Sequence, residues 1–241
     1  MRWYKKFFDK KYGKFILNNY NDSREKSKKI FQLLDIKEKD TIFDQCCGRG
    51  ILSETIMKNG NRVIGIDYNR SYLAKIDKKL IKKTKSIFLK KNAFKYRVKN
   101  RVDIVINWHS SFGYGNNQEN FNQLKNAYKS LKKGGVFLID YLNSSKIIAH
   151  FEKKMVFKLD NSLSLVRFSK IEKNILYQQW FLYKNNLLLW EKESYIKLYT
   201  LKFFKNNLKK IGFEIINLYG NYDKSKYTKN SDRLIIICKK V

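Results

Sequence analysis

The segment FDQCCGRG, residues 43–50, places an acid, Asp44, at the end of a short apolar run, and two glycines, Gly48 and Gly50, lead from it into a helical pattern. Missing side chains at such a turn let the backbone approach a ligand, and the unpaired N–H groups at the helix start face it. A second apolar run, RVIGID, ends in Asp67. A carboxylate at the tip of the neighbouring strand accepts hydrogen bonds from both hydroxyls of a ribose. Together these residues predict a site for an adenosine-containing cofactor. A glycine turn without a ligand would explain the first segment but not Asp67. The stretch GRGILS also fits G-x-G-x-x-G/A loosely, with Ser53 in the last place, a pattern shared with dinucleotide pockets. Asp44 separates the two cofactor classes: an acid before the glycines repels a pyrophosphate and attracts a sulfonium and an amino group.

His109 follows the apolar run VDIVIN and is the candidate general base, since histidine titrates near neutrality. The alternative is a histidine held by packing or a hydrogen bond in the loop SSFGYG. His150 receives no role. Cys46 and Cys47 stand beside the glycine turn, where close packing explains them better than nucleophilic chemistry. With no CxxC pair among three cysteines, neither a zinc site nor a disulfide framework is expected. Trp180, Tyr183, Trp190, Tyr195 and Tyr199 crowd one stretch, and most of them are expected to pack, because alternate strand positions must bury against something. Those that face the cleft would form an apolar lid over an acceptor, with Tyr195 and Tyr199 the first candidates for substrate binding.

Positioning these residues takes an alternation of helices and strands. SREKSKKIFQLLD reads as a helix with Ser23 as its N-cap, TIFDQC as a strand, ILSETIMKNG as a helix closed by Gly60, RVIGID as a strand and SYLAKIDKKLIKK as a helix. SIFLKK, VDIVIN and VFLIDYL complete the strands, with the helix FNQLKNAYKSLKK before Gly134 and Gly135. Such alternation predicts a parallel sheet covered on both faces. MVFKL, LSLVRFSKI, ILYQQWFLY and LLLWEKESYIKLYT then follow as four β-rich runs separated by DNS, EKN and KNN, an antiparallel meander with turn-like triplets. The helix LKFFKNNLKKIG and the strands FEIINLYG and RLIIICK resume the earlier rhythm. An insertion at the meander's place lies near the carboxyl edge of the sheet, where open α/β folds bind ligands.

The chain has 241 residues, enough for one α/β domain over 1–241 with the inserted cap at 154–199. Its formal charge is +31, which by itself points to nucleic acid. Yet Phe, Tyr, Met, Ile, Asn and Lys account for 128 residues, against 24 for Gly, Ala, Arg and Pro. The first set has AT-rich codons and the second GC-rich ones, so mutational bias raises lysine everywhere without building a binding face. The lysines run from Lys5 to Lys240, as bias predicts. No run approaches the roughly 20 apolar residues of a membrane span, and the N-terminus lacks a signal-peptide stretch, so a cytoplasmic location is expected.

These motifs resemble those of the class I S-adenosylmethionine-dependent methyltransferases, and within them a bacterial small-molecule group. FDQCCGRG is similar to that family's first motif, with Cys46 where the broader family has glycine, and VIGIDYNRSYL to its second. KKNAFKY matches the third, with Asn92 in place of the usual Asp. VDIVINWHSSFGYG and LKKGGVFLIDYLN match the motifs of the fourth and fifth strands. The resemblance spans nearly the whole chain and is least specific over the meander. It implies a Rossmann-like, seven-stranded, mostly parallel sheet whose final antiparallel strand lies beside the sixth, with the meander as a cap, and S-adenosyl-L-methionine as cofactor. On these positions Asp44 and Gly48, with Cys46 and Gly50 in the same turn, hold the methionine end; Asp67 and Tyr68 hold the adenosine; Asn92 and Ala93 the adenine edge; and Asn107 and Trp108 lie close to the methyl group. The implied reaction is in-line methyl transfer to a small-molecule acceptor. No N-P-P-Y-type segment follows the fourth strand, where methyltransferases of exocyclic base nitrogens carry it; the stretch here is INWHSS. The alternatives are an RNA methyltransferase that uses its lysines on phosphates, and a non-catalytic cofactor-binding protein.

Overall fold

The computed structural model describes residues 2–17 and 21–241. Helices α1 (Trp3–Phe7), α2 (Lys10–Tyr12), α3 (Asn21–Lys28) and α4 (Ile30–Leu33) precede β1 (Thr41–Gln45). Then come α5 (Ile51–Lys58), β2 (Arg62–Asp67), α6 (Arg70–Leu73), α7 (Lys78–Thr84), β3 (Ile87–Lys90), β4 (Val102–Asn107), α8 (Asn117–Ser130), β5 (Leu131–Leu142) and α9 (Ser144–Ala149). Four strands, β6 (Lys154–Lys158), β7 (Leu163–Glu172), β8 (Ile175–Lys184) and β9 (Leu187–Lys197), form a separate sheet. The chain ends with α10 (Leu201–Ile211), β10 (Phe213–Tyr219) and β11 (Arg233–Lys240).

The main sheet has the order β10-β11-β5-β4-β1-β2-β3. β1 pairs parallel with β2 on one side and β4 on the other, and β11 runs antiparallel between β5 and β10. The strand order reverses at β1, so a crevice opens beyond the carboxyl ends of β1 and β4, the place where open α/β sheets bind ligands.

The two-residue strand period builds two cores from continuous apolar runs. Phe43, Val105, Phe137, Ile139 and Ile236 pack on one face with Leu124 of α8 and Phe204 and Leu208 of α10. Ile42, Ile104, Ile106, Leu138, Ile235 and Ile237 pack on the other with Ile56 and Met57 of α5. α8 starts with a capping box, in which Asn116 accepts from the Glu119 N–H while the Glu119 side chain reaches back.

Two helices differ from the sequence reading. Ser23 lies inside α3, which begins at Asn21, and the expected single helix breaks between α3 and α4 at Lys29. SYLAKIDKKLIKK likewise divides into α6 and α7. Asp77 accepts from the N–H groups of Lys79 and Leu80, so a second N-cap interrupts the pattern. Apolar spacing alone does not reveal such a break.

The meander is antiparallel throughout. Lys173 and Asn174 (φ 50° and 60°) and Asn185 and Asn186 (φ 47° and 64°) make its last two turns, the pair of positive φ values that a two-residue type I′ hairpin requires. The Tyr141 hydroxyl donates to the Lys197 carbonyl, and the Lys197 N–H donates to Gly113 (3.0 Å). These bonds pin the end of β9 over the main sheet and make the small sheet a roof for the crevice. Among the described residues no helix is long and apolar enough to cross a membrane.

A candidate active site between the sheet tips and the roof

β1 carries Asp44 to its carboxyl end, where the side chain is buried and accepts a hydrogen bond from Ser53 Oγ of α5 (2.5 Å). Burial pushes its carboxyl up to about 7, opposed by the hydrogen bond from the Ser53 hydroxyl and aided, least of the three, by the negative field of Asp67. A carboxylate made this uncomfortable is relieved by a cation. At the end of β2, Asp67 Oδ2 accepts from the Gly48 N–H (2.9 Å) and Oδ1 from the Asn69 N–H (2.7 Å). Burial raises its carboxyl above the ordinary range, with these backbone bonds working the other way.

Between the two acids the chain turns tightly. Cys46 (φ 68°), Gly48 (φ 57°) and Gly50 (φ 79°) are all left-handed. A Cβ on Gly48 would meet nothing within 4 Å, whereas one on Gly50 would lie 2.7 Å from Ile76. Gly48 therefore leaves room for a ligand, and Gly50 lets α5 start close against Ile76. Burial, followed by the nearby carboxylates, pushes the Cys46 and Cys47 thiols up, which keeps them protonated packing groups rather than nucleophiles.

Asp44, Cys46, Gly48, Asp67, Tyr68, Asn92, Ala93, Trp108 and His109 all line one cavity of about 1520 Å³. That exceeds the space of about 300–1,000 Å³ usual for one ligand, so there is room for two. Tyr68 lies 37% exposed at the mouth, with the Lys5 ammonium 4.6 Å and the Lys90 ammonium 5.8 Å from its ring centre. Asn92 Oδ1 accepts from the Phe94 N–H (2.9 Å), which shapes the turn after β3 where Asn92 lines the cavity. α1 closes this end: Asn69 Nδ2 donates to the Phe8 carbonyl (2.6 Å), and Lys192 of the roof pairs with Asp9 (2.7 Å).

Four expected site residues lie elsewhere. Gly50 and Asn107 do not line the cavity. Asn107 is buried behind it, donating to Gln45 Oε1 (3.4 Å) and the Ser111 carbonyl (3.2 Å). Tyr199 belongs to the core: it stacks on Phe203 (3.8 Å) and donates to Asn117 Oδ1 (3.0 Å). Tyr195 meets Trp3 and Tyr177 instead. The residues of β9 that reach the cavity are Ser194 and Ile196, so the two-residue period turns Tyr195 away.

Sequence reasoning also missed a polar network at the tips of β4 and β5. Buried Asp140, near the end of β5, accepts from the His109 N–H (2.9 Å), the Tyr222 hydroxyl (2.8 Å) and Arg233 Nε (2.7 Å). Arg233 also reaches Ser110 Oγ (2.8 Å). Burial opposes the Arg233 charge, but Asp140 outweighs it and holds the cation. These bonds fix His109 and Ser110 in left-handed backbone conformations (φ 53° and 59°), with the His109 ring stacked 5.9 Å from Trp108. An acid at a strand tip was the visible signal; its partner lies 93 residues away.

A family model described as a methyltransferase domain matches residues 42–135, the segment from β1 into β5. YqeM of Bacillus subtilis (strain 168), provisionally named a methyltransferase, is 22% identical over 218 residues, covering 85% of this chain and 86% of its own. An S-adenosylmethionine-dependent methyltransferase from Clostridium acetobutylicum ATCC 824 shares the fold across 98% of each chain, with a TM-score of 0.79 at 17% identity. CalS10, an amino pentose methyltransferase from Micromonospora echinaspora solved with S-adenosylmethionine bound, does so over 92% of each chain, with a TM-score of 0.66 at 12% identity. The matched domain, the strand order and the acid-and-glycine crevice agree: residues 42–135 match a methyltransferase domain, set in a fold that the chain shares with S-adenosylmethionine-dependent methyltransferases.

Proposed function

We propose that the protein transfers a methyl group to a small-molecule acceptor by direct in-line displacement. The observation that carries this reading is that Asp44 and Asp67, at the tips of adjacent strands, open into one roofed cavity with room for two ligands. S-adenosylmethionine supplies an activated methyl group, which bonds to the acceptor's lone pair as the carbon–sulfur bond breaks and that pair stays on sulfur.

The protein's work is placement and exclusion of water. Asp44 and the open face of Gly48 receive the cationic methionine end, with Cys46 and Gly50 shaping the turn. Asp67 and Tyr68 hold the ribose and adenosine, and Asn92 and Ala93 the adenine edge. Trp108 closes the space beside the methyl group, and Asn107 supports it through Gln45 and Ser111. Where the acceptor carries a proton, a ring nitrogen of His109 takes it, its backbone being held by Asp140. The amino pentose acceptor named for CalS10 supports a small acceptor under such a roof. The one-domain reading, 1–241 with 154–199 as cap, belongs to the same proposal.

Lys5, Lys90, Lys91 and Lys146 around the cavity support a second reading, an RNA acceptor. Incubation of the protein with trideuteromethyl-labelled S-adenosylmethionine and, separately, the small-metabolite fraction and total RNA of a bacterial lysate tests both. Label in the metabolite fraction is expected. Label confined to RNA nucleosides overturns the small-molecule acceptor.

A further inference from the structure

The roof carries groups that the methyl donor does not require. On β7 the two-residue period sets Arg167 and Ser169 on one face, and strand register places Met155 and Trp180 beside Arg167 and Gln178 beside Ser169. All of them line the cavity. The Arg167 guanidinium lies 5.3 Å from the Phe157 ring centre and 5.2 Å from that of Trp180, and it touches the Met155 thioether. Aromatic faces fix the plane of a guanidinium and strip water from it, which strengthens its attraction for an anion.

Beside it, Ser169 Oγ is buried and makes no hydrogen bond among the described residues. A buried hydroxyl left unpaired is costly, and a ligand oxygen arriving there recovers that cost. The floor presents Asp44 and Asp67 and the roof sheet presents Arg167, with further groups of both signs, among them Glu152 and Lys146, along the walls. Arg167 thus offers an anionic group a place on the roof, apart from the two acids of the floor.

We propose that the acceptor bears a carboxylate, bound by the two-pronged N–H fork of Arg167 with the Ser169 hydroxyl donating to the same group, while Met155, Leu176, Trp180 and Ile196 take its apolar body. This rests on the reading of the cavity as donor and acceptor site in one. A single planar guanidinium with one hydroxyl matches a singly charged, planar anion, and a phosphate would call for more cations.

The test uses the full chain saturated with S-adenosylhomocysteine, titrated by calorimetry with benzoate, benzamide and phenyl phosphate. Benzoate is expected to bind at least about tenfold more tightly than benzamide, and more tightly than phenyl phosphate. In Arg167→Met that preference disappears while S-adenosylhomocysteine affinity is unchanged. Should Arg167→Met fail to fold, Arg167→Lys, which keeps the charge without the fork, is expected to weaken benzoate and leave benzamide unaltered. Equal binding of benzoate and benzamide, a preference for phenyl phosphate, a preference that survives loss of the guanidinium, or a variant that loses S-adenosylhomocysteine instead overturns the proposal. Failure of the wild-type chain to bind S-adenosylhomocysteine sinks the cofactor reading beneath it; absence of benzoate binding in a chain that does bind it sinks the carboxylate alone.

Discussion

The Gly48 N–H donates to Asp67 Oδ2 at 2.9 Å, so the bend that follows β1 is tied to the acid that ends β2. Asp67 thus has two tasks in the proposed site: it shapes the loop around the methionine end and keeps its remaining lone pairs toward the ribose. Replacing Asp67 by Ala removes both. We expect affinity for S-adenosylmethionine to fall by at least about a hundredfold, the worth of two hydrogen bonds to a charged group. Calorimetry checks this, and an unchanged affinity would remove Asp67 from the site.

In the proposed site, Asp44 is expected to make binding depend on pH. Its carboxyl sits at about 7 in the fold, above its ordinary value of 3.8. The ligand-free fold therefore favours the protonated form: this contribution to stability is fully present below the ordinary value and is lost as pH rises through 7. A cation bound beside Asp44 favours the carboxylate, so affinity for S-adenosylmethionine should increase with pH, approaching about tenfold per pH unit on the acid side of the transition. Asp44→Asn should flatten that rise between pH 6 and 8 and weaken binding at the upper end. Parallel profiles for the two proteins would show that Asp44 does not face the cation.

Arg233 and Asp140 form a pair at 2.6 Å with Asp140 fully buried. Asp140→Ala leaves a largely buried guanidinium without its counter-charge, and we expect a loss of about 3–5 kcal/mol in urea unfolding. Adding Arg233→Met should restore part of that loss, since the uncompensated charge goes with it. Additive losses would mean the two side chains do not act as a pair.

His109 donates its backbone N–H to Asp140 and stacks its ring beside Trp108, and in the proposed site that ring takes the acceptor's proton. His109→Gln should lower kcat more than it weakens S-adenosylmethionine binding, and should flatten the pH dependence of kcat. A variant with the wild-type pH profile would reject the base role.

Local pattern was sufficient for the frame of this protein. Continuous apolar runs such as VDIVIN and RLIIICK can only be strands buried on both faces, and Asp44, Gly48 and Asp67 are readable because their chemistry depends on the strand tip and turn that they themselves create. Breaks such as the one at Asp77 were not readable, since a capping side chain competes with apolar spacing without changing it. What lines the rest of the cavity depends on longer reach. Asp140 meets Arg233 only because β11 returns between β5 and β10. Which residues of the roof face inward turns on strand register, where a shift of one residue exchanges the two faces; that is why Arg167, Gln178 and Ser194 line the cavity and Tyr195 does not.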